Sequence, residues 1–257
     1  DDILSLQSKG KISQKELLNI VKENYSNDPY FAWEDFNPDI LDTSQFPTNN
    51  NLLNIPFGTK DIFNTKEFPT CMGSDIWSKF TPGNNARVVD SLLQSGAINV
   101  GKTTTAEFAV HELNKTLNPF DESKMPGTSS SGSAVSTVTG TVPFALATQT
   151  AGSISRPASY CGVWGFKPSF GLIPRTGILK TTDSLDQVGF ITTNGLNLRT
   201  IFDNIRVRGP NYPFVHDNVD KVEDLRNRKK WKIGFIKTYT WDYCADYVKS
   251  EITKFLD

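Results

Sequence analysis

The sequence has few cysteines and histidines and no long apolar run. Its three cysteines lie far apart and form no CxxC pair, so they indicate neither a disulfide framework nor a zinc site. The 27 basic residues nearly balance the 28 acidic residues, which removes the electrostatic basis for binding nucleic acid or an acidic membrane. No apolar stretch reaches the length of about 18 residues that a membrane span requires. We therefore predict no metal ion, no cofactor, no nucleic acid partner and no membrane partner.

The first residues also lack a targeting signal. The start, DDILSLQSKGKISQKELL, has neither the basic region nor the apolar region of a secretory signal. Together with the absence of a disulfide framework, this predicts a reducing, cytoplasmic location.

Helix and strand patterns alternate from about residue 55 onward. The helix patterns lie at 85–96, 132–140 and 245–256. The strand patterns lie at 97–101, 143–148 and 231–237. This alternation predicts an α/β fold with a mixed β-sheet core flanked by helices on both faces.

The N-terminal part has a different texture. Residues 12–24 have apolar side chains at helical spacing, which predicts an amphipathic helix. Residues 27–56 contain four prolines and many Asn and Asp residues, and they are interpreted as a connection. We predict an N-terminal helical arm at 1–50 and a main domain at 51–257.

The segment 126–168 carries the clearest chemical signal. Three serines lie between Gly127 and Gly132, Ser133 follows directly, and a second turn of small residues lies at 150–153. A Ser/Gly cluster by itself is typical of a solvated linker. Here the cluster leads into an apolar helix pattern, and apolar runs enclose the second turn. This setting favours a binding site, because small residues let backbone N–H groups approach a ligand.

Residues 126–168 resemble the signature segment of the amidase signature family, PGGSSGGSAA…ALGTDTGGSIRxPAxFCGVxGxKP. The resemblance extends to IPFGTKDIFNT at 55–65, to 95–109 and to SLDQVGFIT at 184–192, so it covers roughly 50–240. The variant ATQTAGSISRPA is more similar to the malonamidase-like small-acid amidases than to the transfer-RNA amidotransferase subunits.

The resemblance implies a role for each residue that matches the family motif. Ser153 falls on the nucleophile, Ser129 on the bridging serine that is held with a cis peptide, and Lys60 on the lysine base. The oxyanion would be held by the backbone N–H groups of Thr150, Ala151, Gly152 and Ser153. Substrate contacts would come from Gly127, Thr128, Ser130 and Arg156. Ala151 replaces the usual glycine, and a positive φ there would strain the turn.

A serine hydroxyl needs a base to become a strong nucleophile. The chain has only two histidines, His111 and His216, and no GxSxG elbow, so a Ser-His-Asp site has little support. A lysine can act as the base only when it is neutral, which burial favours by lowering its pKa. From local sequence alone, Lys60 would be a surface lysine paired with Asp61. The ordered family motifs favour a buried Lys60 instead.

Two further signals have competing interpretations. Arg156 could bind a substrate carboxylate through a bidentate pair, or it could bond nearby backbone carbonyls. The stretch GAINVGKT at 96–103 matches the P-loop pattern GxxxxGK[ST]. A P-loop needs a strand before its first glycine, whereas here a helix pattern ends at Gly96 and the supposed loop has the composition of a strand. We interpret this match as accidental.

These features predict an amidase that hydrolyses a small-molecule carboxylic amide to an acid and ammonia or an amine through an acyl-enzyme. One alternative is the glutaminase subunit of an amidotransferase complex, which needs a partner protein. The other is a non-catalytic interaction domain with the same fold. A homodimer is left open. Family domains are usually much longer than this chain, so the resemblance implies that 51–257 is the N-terminal part of a longer domain.

Overall fold

A computed structural model describes residues 11–26, 28–42, 52, 54–110, 112–209, 232 and 234–256. The chain divides into two compact units, Asp1–His216 and Asp217–Asp257. His111, His216 and the predicted boundary near residue 50 lie outside the described residues, so the division into 1–50 and 51–257 stays a prediction.

Six helices and six strands occur in the described residues. The helices are α1 (Gln14–Tyr25), α2 (Arg87–Gln94), α3 (Ser131–Val138), α4 (Ser155–Tyr160), α5 (Leu198–Ile205) and α6 (Asp246–Leu256). The strands are β1 (Trp33–Phe36), β2 (Pro56–Lys60), β3 (Ile98–Thr103), β4 (Phe144–Gln149), β5 (Trp164–Phe166) and β6 (Gln187–Thr192). Short 3₁₀ helices lie at Pro38–Asp42, Asp75–Trp77, Glu107–Ala109, Gly195–Asn197 and Tyr239–Trp241. None of the described helices is long and apolar enough to cross a membrane.

The strands form one mixed sheet in the order β1-β3-β2-β4-β6-β5. Strand β2 runs parallel to both β3 and β4, and the other pairs are antiparallel. A parallel pair needs a crossover connection, and α2 supplies it between β2 and β3. The predicted α/β fold with a mixed sheet is confirmed.

Buried residues cover both faces of the sheet. Successive side chains of a strand point to opposite faces, so β4 alternates between two environments. Ala145 and Ala147 belong to a buried cluster with residues of α1 and α3. Phe144 instead stacks on Phe57, with ring centroids 5.5 Å apart. The buried residues of α2 and α5 are not members of the cluster that contains Ala145, which places these helices on the other face.

The N-terminal prediction is partly confirmed and partly corrected. Helix α1 forms where predicted, begins with a capping box between Ser13 and Glu16, and buries Leu18. The stretch predicted as a connection contains β1, which pairs with β3 at the edge of the sheet. Long-range packing supports this four-residue strand, since the Trp33 ring would lie only 3.0 Å from a Cβ added at Gly58. A local pattern does not reveal such a contact.

The helices and strands predicted within 85–148 are confirmed, whereas the late strand is wrong. The described residues at 234–238 form no strand and have no described strand partner. Within the second unit, the indole of Trp241 contacts the Phe235 ring, with centroids 5.4 Å apart. Lys237 Nζ lies 5.2 Å from the centroid of the Trp241 ring. Helix α6 forms as predicted.

Candidate active site

Lys60 is the last residue of β2, and its side chain is fully buried. Its Nζ donates to Ser129 Oγ at 2.7 Å and to Thr148 Oγ1 at 3.0 Å. Burial lowers the pKa of Lys60 to about 7, and the negative charge of Asp186 opposes part of that effect. Near neutral pH, Lys60 is therefore partly an uncharged amine that can accept a proton.

Ser129 lies two residues before α3 and follows a cis peptide bond between Thr128 and Ser129. Its carbonyl accepts hydrogen bonds from the N–H of Ala106 and from Thr105 Oγ1, both at 3.2 Å. These contacts hold the backbone while the hydroxyl points to Lys60. The cis peptide is the feature that the family resemblance implied.

Ser153 lies in the turn between β4 and α4 and is buried except for 8% of its surface. The Gln149 side chain holds this turn on both sides. Its Oε1 accepts the N–H groups of Ile154 at 2.8 Å and Ser155 at 2.9 Å, while its Nε2 donates to the Ala151 carbonyl at 3.1 Å. The nucleophile candidate therefore lies on a fixed backbone.

Ser129, Thr150 and Ser153 line one pocket, whose apolar walls include Ile62 and Ile178. Lys60 lies beneath this pocket and touches it through Ser129. Among the hydrogen bonds of the described residues, none joins the hydroxyls of Ser129 and Ser153. The structure thus brings both serines to one space and gives Ser129 a direct contact with the buried lysine.

The backbone of the turn at 150–153 bears on the predicted oxyanion site, whose role stays a prediction. Within the described structure, the N–H groups of Ala151, Gly152 and Ser153 donate to no other backbone group. Ala151 is not among the residues with positive φ, so the replacement of the family glycine does not strain the backbone. These N–H groups stay available to a developing negative charge.

The predicted substrate contacts differ in their surroundings. Gly127 has φ 86°, and a Cβ there would lie 2.8 Å from the backbone nitrogen of Pro157, so this position requires glycine. Thr128 and Ser130 are buried, and Ser130 Oγ donates to the Thr148 carbonyl at 3.2 Å. These three residues support the serine segment but are not part of the pocket lining. Their contact with substrate stays a prediction.

Arg156 lies against the turn of the nucleophile. A Cβ added at Gly152 would be 3.0 Å from a terminal guanidinium nitrogen of Arg156. Among the contacts of the described residues, this guanidinium forms neither a hydrogen bond to a backbone carbonyl nor an ion pair. Arg156 is not among the residues that line the pocket of Ser129 and Ser153, so its contact with a substrate carboxylate stays a prediction.

Asp186 is a site residue that the sequence prediction missed. It immediately precedes β6, is buried, and lines the pocket of Ser129 and Ser153. Burial alone would raise its pKa, but hydrogen bonds from Thr150, Thr181 and Thr182 lower the pKa to about 2. The aspartate of SLDQVGFIT was available as a signal, since an ionised side chain directly before a buried strand needs partners.

The lysine of the stretch that matches the P-loop pattern, Lys102, is also buried. Lys102 is an interior residue of β3, which begins at Ile98, so a strand occupies the supposed loop. Its Nζ donates to the Phe63 carbonyl at 2.7 Å and lies 3.2 Å from Asp61 Oδ1. Lys102 is thus engaged inside the protein. It also takes the carboxylate that local sequence had assigned to Lys60.

The chain thus has a mixed sheet, a buried lysine and two serines that line one pocket. The sequence matches the model of the family described as Amidase over residues 41–257. The chain belongs to this amidase (amidase signature) family.

The curated relatives are subunits of an amidotransferase. The chain is 36% identical over 213 residues to a glutamyl-tRNA(Gln) amidotransferase subunit from Staphylococcus epidermidis, covering 79% of this chain and 44% of the relative. It is 42% identical over 220 residues to the corresponding subunit from Lactiplantibacillus plantarum, covering 79% and 43%. The chain therefore spans less than half the length of these relatives. The similarity to malonamidase-like members stays a prediction.

Solved structures of two other proteins share the fold. Peptide amidase from Stenotrophomonas maltophilia superposes with a TM-score of 0.75 at 28% identity, covering 82% of this chain and 48% of that one. The glutamyl-tRNA(Gln) amidotransferase subunit from Thermotoga maritima gives a TM-score of 0.71 at 31% identity, covering 79% and 46%. The amidase signature fold is therefore shared by proteins whose names describe different reactions.

Proposed function

We propose that this protein hydrolyses a carboxylic amide to an acid and ammonia or an amine, with Ser153 as the nucleophile and Ser129 and Lys60 as its proton-transfer partners. The observation that carries the proposal is the 2.7 Å contact between the buried Nζ of Lys60 and the hydroxyl of Ser129, in a pocket that Ser153 shares. Structural packing alone would not require a buried amine at this position, because burying an ionisable group is unfavourable.

The proton path follows from the chemistry of the three groups. Neutral Lys60 accepts the proton of Ser129, and Ser129 accepts the proton of Ser153 as Ser153 Oγ attacks the amide carbon. Hydrogen bonds of this kind often align only when substrate is bound, so the missing contact between the two serines is compatible with the path. The lowered pKa of Lys60, about 7, supplies the neutral amine near physiological pH.

The remaining steps use the turn and the same serine. The carbonyl oxygen gains negative charge in the attack, and we assign the stabilisation of this charge to the N–H groups of 151–153, which donate to no backbone group of the described residues. Ser129 gives a proton to the leaving nitrogen, the C–N bond breaks, and the acyl group stays on Ser153 Oγ. Water then attacks the ester and releases the acid, and the proton of the water restores Ser153.

The surroundings support a small-molecule substrate. A cavity of about 590 Å³ shares Ile62, Arg175 and Leu179 with the pocket of the two serines. This adjoining cavity is lined by neither serine, and its volume lies within the range of about 300–1,000 Å³ that is typical of small-molecule sites. Arg156, beside Gly152, supports a substrate with an acidic group, because a guanidinium binds a carboxylate through two parallel hydrogen bonds.

The test of the nucleophile is covalent labelling of the whole protein with a fluorophosphonate probe. Ser153→Ala should abolish labelling, because Ser153 forms the covalent bond, whereas Ser129→Ala should slow labelling without preventing it. Ser159→Ala, an exposed serine of α4, is the matched control and should be labelled at the normal rate. Labelling of Ser153→Ala at the same active-site peptide would refute the assignment.

A second candidate function is favoured by the identity of 36–42% to two amidotransferase subunits. In this case the amide is glutamine, and the released ammonia is passed to a reaction in a multi-subunit complex. The same serines and lysine would carry out the hydrolysis. The two candidates therefore differ in substrate and partner rather than in the chemistry at Ser153.

A further inference from the structure

The carboxylate of Asp186 accepts five hydrogen bonds from three residues of the chain. Its Oδ1 accepts the hydroxyl protons of Thr150 at 2.6 Å, Thr181 at 2.7 Å and Thr182 at 3.0 Å. Its Oδ2 accepts the backbone N–H groups of Thr181 at 2.7 Å and Thr182 at 2.9 Å. Three threonine hydroxyls that donate to one oxygen form a polar centre whose geometry depends on the carboxylate.

This centre connects two parts of the pocket. Thr150 begins the turn that carries the free N–H groups and Ser153, while Thr181 belongs to the segment 178–182, of which residues 178–181 line the pocket. Arg175 fixes the same segment, since its guanidinium donates to the Thr182 carbonyl at 3.1 Å and to the Asp183 carbonyl at 2.7 Å. Loss of the carboxylate would remove the charged acceptor of Thr150, leave only its 3.0 Å contact with the Thr181 hydroxyl and loosen the start of the turn.

We propose that Asp186 is a positioning residue of the amide-hydrolysis site, which holds the turn 150–153 in register through Thr150 and places a negative charge in the pocket above Lys60. The inference rests on the proposed function for its effect on the reaction. The two effects of Asp186 can be measured separately. A change at Thr150 tests the hydrogen bond, and the pKa of Lys60 tests the charge.

The charged groups near Lys60 determine whether loss of the Asp186 charge raises or lowers the pKa of Lys60. Asp186 raises the pKa of Lys60 and so opposes the larger effect of burial. Helix α3 and strand β4, which lie beside Lys60, contain no charged residue. Arg175 and Lys180 line the pocket, and neighbouring Asp61 is paired with Lys102. Removal of the Asp186 charge therefore leaves the effect of burial unopposed, which moves the pKa of Lys60 further down.

The experiment compares Asp186→Asn with Thr150→Val in the whole protein. Asp186→Asn keeps the shape but removes the charge, so kcat should fall about 10- to 100-fold and the limb of the kcat/KM profile that reports Lys60 should move to lower pH. Thr150→Val should lower kcat without moving the profile, because the carboxylate remains. Asp183→Asn removes an exposed carboxylate of the same loop and should change neither quantity.

A second measurement does not need activity. The titration of Lys60 can be followed by NMR of isotope-labelled lysine and assigned by its loss in Lys60→Met. If Asp186→Asn titrates like the wild type and like Asp183→Asn, and its kcat is unchanged, the inference is wrong while the proposed function stands. If Ser153→Ala hydrolyses amides normally, the proposed function is wrong, and a lowered Lys60 pKa in Asp186→Asn still supports the charge effect. Circular dichroism and the melting temperature show whether each variant is folded.

Discussion

At the scale of single residues, Lys60 has the strongest physical constraint in the site. Its ammonium form would lose its hydration in a position whose nearest partners are the two hydroxyls of Ser129 and Thr148. Burial therefore favours the neutral amine and brings the pKa of Lys60 to about 7. The same burial that makes Lys60 a usable base also makes it a cost to folding at pH values where the unfolded chain holds the proton.

Lys60→Met should remove catalysis while retaining the fold. Methionine has a similar length and its thioether is easily buried, but it accepts no proton from Ser129. A general base contributes typically about 10²–10⁴-fold, so kcat/KM for amides should fall by at least about 100-fold. In the wild type, kcat/KM should rise with pH through about 7 as Lys60 loses its proton. Near-normal activity of Lys60→Met would contradict the assignment.

The stability of the same variant provides an independent check. The folded-state pKa of Lys60, about 7, lies below the unfolded value of about 10.4, so between these pH values only the unfolded chain binds the proton. The free energy of unfolding of the wild type, measured against Lys60→Met, should then rise by about 1.4 kcal/mol per pH unit from about pH 7 to about pH 10. Urea titrations at several pH values measure this slope. A flat difference would show that Lys60 is charged in the folded protein.

Gln149 differs from the family motif and still holds the nucleophile turn. The family form ALGTDTGGS has aspartate where this sequence has glutamine. A carboxylate could accept the N–H groups of Ile154 and Ser155, but only an amide can also donate to the Ala151 carbonyl, as Gln149 does at 3.1 Å. Glutamine at this position therefore keeps the nucleophile turn fixed. It also removes one negative charge from the end of β4, where the turn begins.

At the scale of structural elements, the buried pair of Lys102 and Asp61 fastens the loop after β2 to strand β3. Asp61 accepts the N–H of Cys71 at 3.1 Å and that of Gly73 at 3.4 Å, while Lys102 donates to the Phe63 carbonyl. Burial lowers the pKa of Lys102 and raises the pKa of Asp61, and the charge of each residue opposes the shift of the other. The ion pair thus contacts the loop at Phe63, Cys71 and Gly73.

Breaking this pair should destabilise the fold more than removing it completely. Lys102→Met leaves the Asp61 carboxylate buried without its cation, which should cost about 3–5 kcal/mol of unfolding free energy. Asp61→Asn combined with Lys102→Met removes both charges, so the double variant should be more stable than the sum of the single effects predicts. Urea unfolding of the four proteins gives the coupling energy. Strict additivity would mean that the two charges do not interact.

Elements with a complete local sequence pattern were predicted correctly, whereas elements that depend on contacts with distant residues were not. Helix α2 and strand β4 have complete local patterns and were predicted, whereas β1 depends on contacts of Trp33 with distant glycines. The late strand was wrong because an apolar run does not specify a partner strand. In the site, the family motif identified Lys60 and Ser129, which the structure places in hydrogen-bond contact.

Asp186 shows why part of the site could not be read from the sequence. Its donors come from residues 150 and 181–182, and their convergence depends on the pairing of β4 with β6. No spacing rule connects these positions along the chain. A buried carboxylate before a strand could have been identified as needing partners, but not which partners it has.

At the scale of the whole molecule, the chain contains the serines, the lysine and the turn but spans less than half the length of its curated relatives. The pocket lining comes from several separate segments of the first unit, from Ile62 to Val188. The groups to which the proposal assigns the hydrolysis all lie in this chain. Substrate choice separates the amidase proposal from the amidotransferase proposal, because both use the same groups.

Ammonia release from a panel of primary amides, glutamine included, distinguishes these proposals when it is measured on the whole protein with and without candidate partner proteins. The amidase proposal predicts release from small amides without a partner, because Lys60, Ser129 and the free N–H groups of the turn need no further protein group for the chemistry. Ser153→Ala should abolish this release and Ser159→Ala should not. Release that requires both glutamine and a partner would favour the amidotransferase proposal. If the folded whole protein releases no ammonia under any of these conditions, the non-catalytic domain is favoured, since intact pocket serines would then perform no hydrolysis.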